Sequence, residues 1–458
     1  MSDFDKFMKS GMRGHLIGIG GVSMSPLAEV LRDMGIHISG SDVSENENVK
    51  HLRELNIDIK IGHRASNLPA DAQFVIFTAA VHDDNPEIRE AKARGLKLYG
   101  RAEAWGTIMK AYKNALCISG THGKTTTTSM CTHIMLASDK DPTVMIGGTL
   151  PILHANHRVG RGDTIIMEAC EYQDSFLEFS PTITTILDIE ADHLDYFSDI
   201  EQIKSSFRRF AELTPEDGTV VVNLDDKESM SAVDGIDRKI ITFGLSDRAD
   251  VYARKIRQVG VRSEFDIYCP GKKLTDVTLH VPGLHNVKNA LAATASCIPL
   301  GVSANAVKYG LAGFAGAGRR FEFKGKFNGA DLYDDYAHHP GELKALLDTV
   351  SSLGYERVIL VFQPHTYSRT KALFNDFIRQ LKRPDVLYLA EIYAARESKR
   401  DISSRDLQEK IPGSIFSDDF DELVQMLKNA VRPGDIILTV GAGNVYKIGE
   451  KLISEGGD

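Results

Sequence analysis

Short apolar runs alternate with amphipathic segments along most of the chain. HLIGIGG, PLAEVLRDMG, IHISGSD, NVKHLREL, DIKIG, FVIFTAAV and PEIREAKARG succeed one another in the first hundred residues. This rhythm predicts a parallel sheet with helices on both faces. A second unit opens at ALCISG, residues 115–120, and continues through IIMEAC, TTILDI and TVVVNLDD. Runs so uniformly apolar suit strands buried on both faces. From Lys239 to Val281 the pattern changes to IITFG, VYARKIRQ, RSEFDIY and VTLHV, which predict an antiparallel annex, and an Ala-rich helix, NALAATASCIPLG, follows. The stretch containing Gly310, Gly313, Gly316 and Gly318 is the expected linker. Beyond it, ADLYDDYAHHP, VILVFQPH, VLYLAEIY and DIILTVGAGN predict a third α/β unit.

The length of 458 residues agrees with roughly three domains. Hydrophobic residues at 42% and charged residues at 26% exclude a disordered or fibrous chain. A net charge of −9 has the wrong sign for coating nucleic acid or anionic membrane. Five cysteines with no C-x-x-C pair give neither a zinc spacing nor a disulfide framework, and so point to a reducing compartment. Asp3 and Asp5 make the start unlike a signal peptide, and no apolar run approaches the roughly 20 residues of a spanning helix. The expectation is a cytoplasmic protein with no nucleic-acid partner and no membrane insertion.

The segment ISGTHGKTTTTSM carries the strongest chemical signal. An apolar strand runs through Gly120-Thr121-His122-Gly123-Lys124-Thr125-Thr126 directly into a helix. Backbone N–H groups and a helix N-terminus then converge into a phosphate cradle. Lys124 can reach β- and γ-phosphate oxygens, and the Thr125 hydroxyl can ligate Mg²⁺. The spacing is shorter than G-x-x-x-x-G-K-[ST], with the first glycine at Gly120. The turn Gly18-Ile-Gly20-Gly21-Val-Ser23 resembles G-x-G-x-x-G, with Asp42 placed where a dinucleotide site holds a ribose. A plain tight turn, NAD and another diphosphate-bearing nucleotide all remain open, and the downstream lysine favours the last. A third glycine turn, Gly441-Ala-Gly443, fits phosphate contact and close packing equally well.

Glu168 and Glu171 follow one strand, and Glu190-Ala-Asp192-His193-Leu-Asp195 ends the next. Carboxylates at these strand ends can complete a Mg²⁺ shell begun by Thr125, and His193 can serve a second metal or a phosphate. In the third unit, Asp334-Asp335-Tyr336-Ala-His338-His339 and Gln363-Pro-His365-Thr-Tyr367-Ser-Arg369 lie at strand-to-helix corners. Paired histidines suggest a transition metal, yet no further cysteine or histidine has ligand spacing, so binding or proton transfer is the favoured role. Arg319 and Arg320 can clamp a nucleotide across a domain boundary or face solvent.

GTHGKTTTT, EADHLD, GLHNVKNALAA, GRRFEFKG, DDYAHHPGE and QPHTYSRTKALFNDF occur in the order seen in Mur ligases, and the resemblance spans nearly the whole chain. It implies a Rossmann-like UDP-substrate domain at 1–105, a central P-loop ATPase domain bearing the antiparallel annex at 106–317, and a Rossmann-like amino-acid domain at 318–458. It also implies ATP-dependent amide formation in peptidoglycan precursor synthesis. The lactyl carboxylate of UDP-N-acetylmuramate becomes an acyl phosphate, which the amine of L-alanine attacks. A recycling ligase that attaches a preformed peptide is the alternative, and a monomer or homodimer is expected.

By the same resemblance Lys124, Glu168, His193, Asp335 and His338 are catalytic, and Thr125, Glu168 and His193 hold Mg²⁺. ATP falls to Gly120, Thr121, His122, Gly123, Lys124, Thr125, Thr126, Asn286, Asn289 and Arg320. The UDP-substrate falls to Gly18, Gly20, Gly21, Ser23 and Asp42, and the amino acid to Tyr336, His365 and Arg369. One departure is Glu168-Ala-Cys170-Glu171, where many members read Glu-Ala-Asp-Glu; Cys170 is expected as a buried small residue.

Overall fold

The computed structural model describes residues 10–456 except Ala79, Asp195, Arg396 and Lys399. The N-terminal acids Asp3 and Asp5 and the candidate ligand Asp195 therefore lie outside the described residues.

The first unit is a parallel sheet of β1 (Arg13–Ile17), β2 (His37–Asp42), β3 (Asp58–Ile61), β4 (Phe74–Phe77) and β5 (Lys97–Gly100), in the order β3-β2-β1-β4-β5. The order in which strands are added reverses between the parallel neighbours β1 and β4, and ligands of doubly wound sheets bind at such switch points. The Gly18 turn lies there, and a Cβ on Gly18 would press on Thr78 beyond β4.

The second sheet contains β6 (Asn114–Ser119), β7 (Thr143–Leu150), β8 (Ala155–Arg158), β9 (Thr164–Glu168), β10 (Ile183–Ile186), β11 (Thr219–Asn223), β12 (Lys239–Gly244), β13 (Val251–Val259), β14 (Arg262–Cys269) and β15 (Lys272–Leu279). Their order is β15-β14-β13-β12-β11-β10-β6-β9-β7-β8. β12 pairs parallel to β11, so the annex expected from Lys239 begins instead at Val251, where β13, β14 and β15 pair antiparallel. The run IITFG is short and apolar in either setting, so alternation could not assign its partner. A second antiparallel pair, β7 with β8, closes the opposite edge.

Helix Lys124–Leu136 is buried from Thr125 to Met135 and packs against helices Leu284–Cys297 and Ala304–Gly313. Threonine is a weak helix former, but Thr128 and Thr132 donate to the carbonyls of Lys124 and Thr128, each at 2.8 Å. Their hydroxyls are thereby satisfied inside the core. Gly310 and Gly313 belong to helix Ala304–Gly313 rather than to a linker. A Cβ at Gly310 would stand 2.6 Å from Ile134 Cα, so this glycine brings two helices together. The connection to the third unit shortens to residues 314–321.

The third sheet has the order β16-β17-β21-β18-β19-β20, from β16 (Glu322–Phe327), β17 (Ala330–Asp335), β18 (Arg357–Phe362), β19 (Val386–Leu389), β20 (Ile415–Phe416) and β21 (Asp435–Val440). Only β16 runs antiparallel within this sheet. The architecture is the expected three-domain α/β fold.

Candidate active site

β6 leads into the turn Gly120–Gly123, and helix Lys124–Leu136 starts at once. Gly123 caps it with φ +79°, and a Cβ there would stand 2.6 Å from Asn289 Oδ1. Both the conformation and the contact require glycine. The His122 N–H donates to Asp188 Oδ1 at 2.7 Å, and the Glu190 N–H donates to Thr121 Oγ1 at 2.9 Å. These bonds fix the loop to the end of β10.

Lys124 Nζ donates to Glu171 at 3.0 and 3.3 Å and to the Thr121 carbonyl at 3.1 Å. Burial disfavours its charge, but Glu171, with Glu168 nearby, outweighs this and raises its pKa. Thr125 Oγ1 donates to Glu168 Oε1 at 3.1 Å, while the Gly147 N–H donates to Glu168 Oε2 at 2.6 Å. A Cβ on Gly147 would collide with that carboxylate. The two glutamates thus divide: Glu168 faces the threonine hydroxyl and Glu171 the lysine. Cys170 is exposed rather than buried: β9 ends at Glu168, and Cys170 faces outward between the buried Ala169 and Glu171. His193 adopts φ +53°, packs its ring at a tilt against Tyr172 with centroids 4.7 Å apart, and lies 3.8 Å from Glu171.

From the third unit, Asp335 at the end of β17 accepts from the N–H groups of Phe321 and Ala337 at 2.7 and 2.8 Å. Burial pushes its carboxyl up to about 6. Arg320 lies 5.0 Å over the Tyr336 ring and 3.8 Å from Glu342. Its neighbour Arg319 instead donates to Asp334 at 2.8 Å and to the carbonyls of Gly441 and Gly443 at 2.6 and 3.0 Å. The third glycine turn is thus held by this arginine and packed closely on Gln363 and Tyr393.

The paired histidines diverge. His338 faces His365, ring centroids 5.8 Å apart, whereas His339 faces His122 at 4.9 Å. His338 Nδ1 lies 3.0 Å from the Tyr336 carbonyl, which places its proton on Nδ1 and leaves Nε2 an acceptor. Burial pushes both His338 and His365 down to about 4. Arg369 donates to Asp192 at 3.0 and 3.3 Å, joining the third unit to the second.

A cavity of 330 Å³ lies between these units and is lined by His122, Gly123, Thr126, Asn286, Asn289, Arg320 and Asp335. His285, Lys288 and Glu342 also line it, although the sequence reading passed over them. For Glu342 a signal existed, since His339-Pro-Gly-Glu342 is a helix-start pattern, and the structure forms a capping box there. Asn286 donates to the Pro282 carbonyl at 2.7 Å, and Asn289 lies 3.4 Å from Asn286 Oδ1.

The turn at residues 18–23 belongs to the first unit, apart from the loop before Lys124. The Gly18 N–H donates to the Ser41 carbonyl, and the Gly20 N–H donates to Asp42 Oδ2, both at 2.8 Å. Gly21 closes the turn by donating to the Gly18 carbonyl at 3.1 Å, just before Ser23 and helix Ser25–Asp33. Asp42 sits at the end of β2 as expected, with its carboxylate bracing the turn. Asn156 of β8 donates to the Val22 carbonyl at 3.1 Å, and His157 lies 2.9 Å from Glu29, joining this unit to the second.

Fold and site together define a class: a three-domain enzyme whose middle unit carries a glycine-rich strand-to-helix loop with Lys124 and Thr125 facing carboxylates, and a third unit across a cavity. Comparison with known proteins supplies the family. Residues 13–113 match the pattern described as Mur ligase family, catalytic domain; residues 118–297 the Mur ligase middle domain; and residues 319–443 the Mur ligase, glutamate ligase domain. The chain is 45% identical over 455 residues to the UDP-N-acetylmuramate–L-alanine ligase of Clostridium novyi (strain NT), covering 98% of this chain and 99% of that one. It is 43% identical over 460 residues to the ligase of the same name from Caldanaerobacter subterraneus, covering 99% of each. The crystal structure of UDP-N-acetylmuramate-alanine ligase from Thermotoga maritima superposes with a TM-score of 0.79 at 28% identity, covering 97% of this chain and 99% of that one. A murein peptide ligase from Psychrobacter arcticus shares the fold, at TM-score 0.71 and 22% identity, over 97% and 98% of the two chains. The chain belongs to the Mur ligase family.

Proposed function

We propose that the chain joins L-alanine to the lactyl carboxylate of UDP-N-acetylmuramate, with ATP cleaved to ADP and phosphate, as a cytoplasmic step of peptidoglycan precursor synthesis. The observation that carries this reading is 45% identity along nearly the whole length of a ligase named for that reaction. Residues 1–105 would hold the UDP-substrate, 106–317 ATP, and 318–458 the amino acid.

ATP enters the cavity with its phosphates on Gly120–Thr126, and Asn286, Asn289 and Arg320 hold the nucleotide. Lys124 exchanges Glu171 for phosphate oxygens. The Thr125 hydroxyl beside the Glu168 carboxylate is an oxygen donor pair suited to Mg²⁺, with His193 the further ligand in the family assignment. Bound there, the ion would neutralise charge on the phosphates. The lactyl carboxylate displaces ADP from the γ-phosphorus. The amine of L-alanine then attacks the acyl carbon, and phosphate leaves. The amine enters as the free base, having left its proton to solvent; neutral His338 Nε2 can accept a hydrogen bond from it and orient its lone pair, and buried Asp335 braces the backbone around that histidine. Tyr336, His365 and Arg369 surround the amino acid, and the Arg369 fork suits its α-carboxylate once released from Asp192. Gly18, Gly20, Gly21, Ser23 and Asp42 form the UDP turn.

The test is phosphate release with ATP, Mg²⁺ and UDP-N-acetylmuramate, adding L-alanine, glycine, L-serine or a tripeptide in turn. Release is expected with L-alanine; release with tripeptide alone overturns the reading in favour of a recycling ligase.

A further inference from the structure

We propose that His122, Glu190 and His339 form a site for a divalent transition metal, separate from the Thr125–Glu168 pair, that ties the phosphate loop to the third unit. These residues each offer one ligand atom, and the atoms all lie within 4.8 Å of one another. His122 Nε2 is 3.3 Å and His339 Nδ1 is 3.7 Å from Glu190 Oε2. In a tetrahedral site with bonds of about 2.0–2.2 Å, ligand atoms stand roughly 3.3 Å apart. One edge has that length, and the others close with small side-chain movements.

Space for the ion comes from Gly341. A Cβ there would stand 2.8 Å from Glu190 Oε2, 3.3 Å from His339 Nδ1 and 3.5 Å from His122 Nε2. The hydrogen that glycine carries in its place leaves a void faced by all three donor atoms.

His339 is only 6% exposed and poorly satisfied for so buried a polar ring. Its Nδ1 accepts a 3.2 Å bond from the Gly341 N–H and so carries a lone pair that a metal can take, while the proton sits on Nε2, which has no hydrogen-bond partner among the described residues. The surroundings favour a cation. Glu342 Oε1 lies 3.4 Å from His122 Nδ1, where it can accept that proton and leave Nε2 for the metal. A carboxylate behind a ligating imidazole is the usual way its tautomer is set. Glu342 also caps helix Pro340–Ser351 by accepting from the His338 and His339 N–H groups at 2.9 and 3.1 Å. The positive end of that helix is thereby compensated.

Two imidazole nitrogens and one carboxylate, with a fourth position open, select zinc or cobalt(II) over Mg²⁺. His122 and Glu190 come from the second unit and His339 from the third, so one ion would hold the cavity walls together.

The test needs no turnover and so is independent of the ligase reading. Cobalt(II) is titrated into the nucleotide-free protein in excess Mg²⁺ and followed by its visible absorption, with zinc binding measured by dialysis. One equivalent is expected in the wild-type protein. His339→Gln and Gly341→Ala should bind at least tenfold more weakly while keeping a wild-type circular dichroism spectrum and cooperative melting. Gly341→Ala removes no ligand and only fills the void. Glu168→Gln and His193→Gln should bind as the wild type does. Absence of binding by the wild type, wild-type binding by both His339→Gln and Gly341→Ala, or loss of the signal in Glu168→Gln would overturn the proposal.

Discussion

Arg369 and Asp192 face each other across the boundary between the second and third units as a forked ion pair, at 3.0 and 3.3 Å, with side chains 10% and 9% exposed. Burial works against the Asp192 charge, yet the Arg369 guanidinium prevails and holds its carboxyl well below the usual range. In the proposed reaction the α-carboxylate of L-alanine takes the place of Asp192. Arg369→Gln should then raise the KM for L-alanine at least tenfold and that for ATP less than twofold. Equal increases in both would assign Arg369 to domain closure alone.

Lys124→Ala should lower the rate of phosphate release by about a thousandfold or more, since charge neutralisation carries phosphoryl transfer. Glu171, 2% exposed, loses its cation in this variant. Stability should drop by about 3 kcal/mol, measured by urea denaturation, while the protein remains folded. Retained turnover would contradict the phosphate-cradle assignment.

Glu168 and Glu171 can be separated by Mg²⁺ titration. Glu168→Gln should raise the Mg²⁺ concentration for half-maximal activity about tenfold, because it leaves the Thr125 hydroxyl beside an amide. Glu171→Gln should act mainly on the KM for ATP. The reverse pattern would exchange their roles.

Glu87, fully buried under the first sheet, accepts hydrogen bonds from Ser41 at 2.7 Å and Asn67 at 2.9 Å and lies 2.9 Å from His15. Burial opposes its charge, but these partners bring its carboxyl down to about 2. A folded-state pKa below the unfolded value of about 4.3 gives stability that is present above that value and lost as pH falls through about 2. The stability gap between the wild type and Glu87→Gln should be about 2–3 kcal/mol at pH 6 and shrink steadily from pH 4.5 to pH 2. A gap that does not change with pH would sink the electrostatic account.

Gly106 lets helix Arg101–Met109 lie on the backbone of the second unit, since a Cβ there would collide with the Glu178 carbonyl. Gly106→Ala should destabilise the protein by about 3 kcal/mol, read as a lower melting temperature. An unchanged melting temperature would show that the helix shifts without cost.

Three units, the order of their strands and helices, and the strand-to-helix turn before Lys124 were all legible along the chain, because each rests on local period or local turn chemistry. Lys124 and Thr125 face a carboxylate each, but which glutamate serves which residue depends on the Gly147 N–H from β7, twenty-one residues upstream of Glu168. The annex boundary was misplaced because IITFG reads alike with a parallel or an antiparallel neighbour. Gly310 read as a linker because glycine is equally fitted to a flexible turn and to close helix contact.

By itself the sequence determined the α/β class, the three-unit plan and the glycine turn that opens the helix at Lys124, which follow from hydrophobic period and from glycine followed by lysine and threonine. Tertiary structure decided the partners: Arg369 with Asp192, Lys124 with Glu171, and His339 with His122 rather than with its neighbour His338. Adjacent residues at a strand-to-helix corner point in different directions, and pairing across domains depends on distances that residue spacing does not encode.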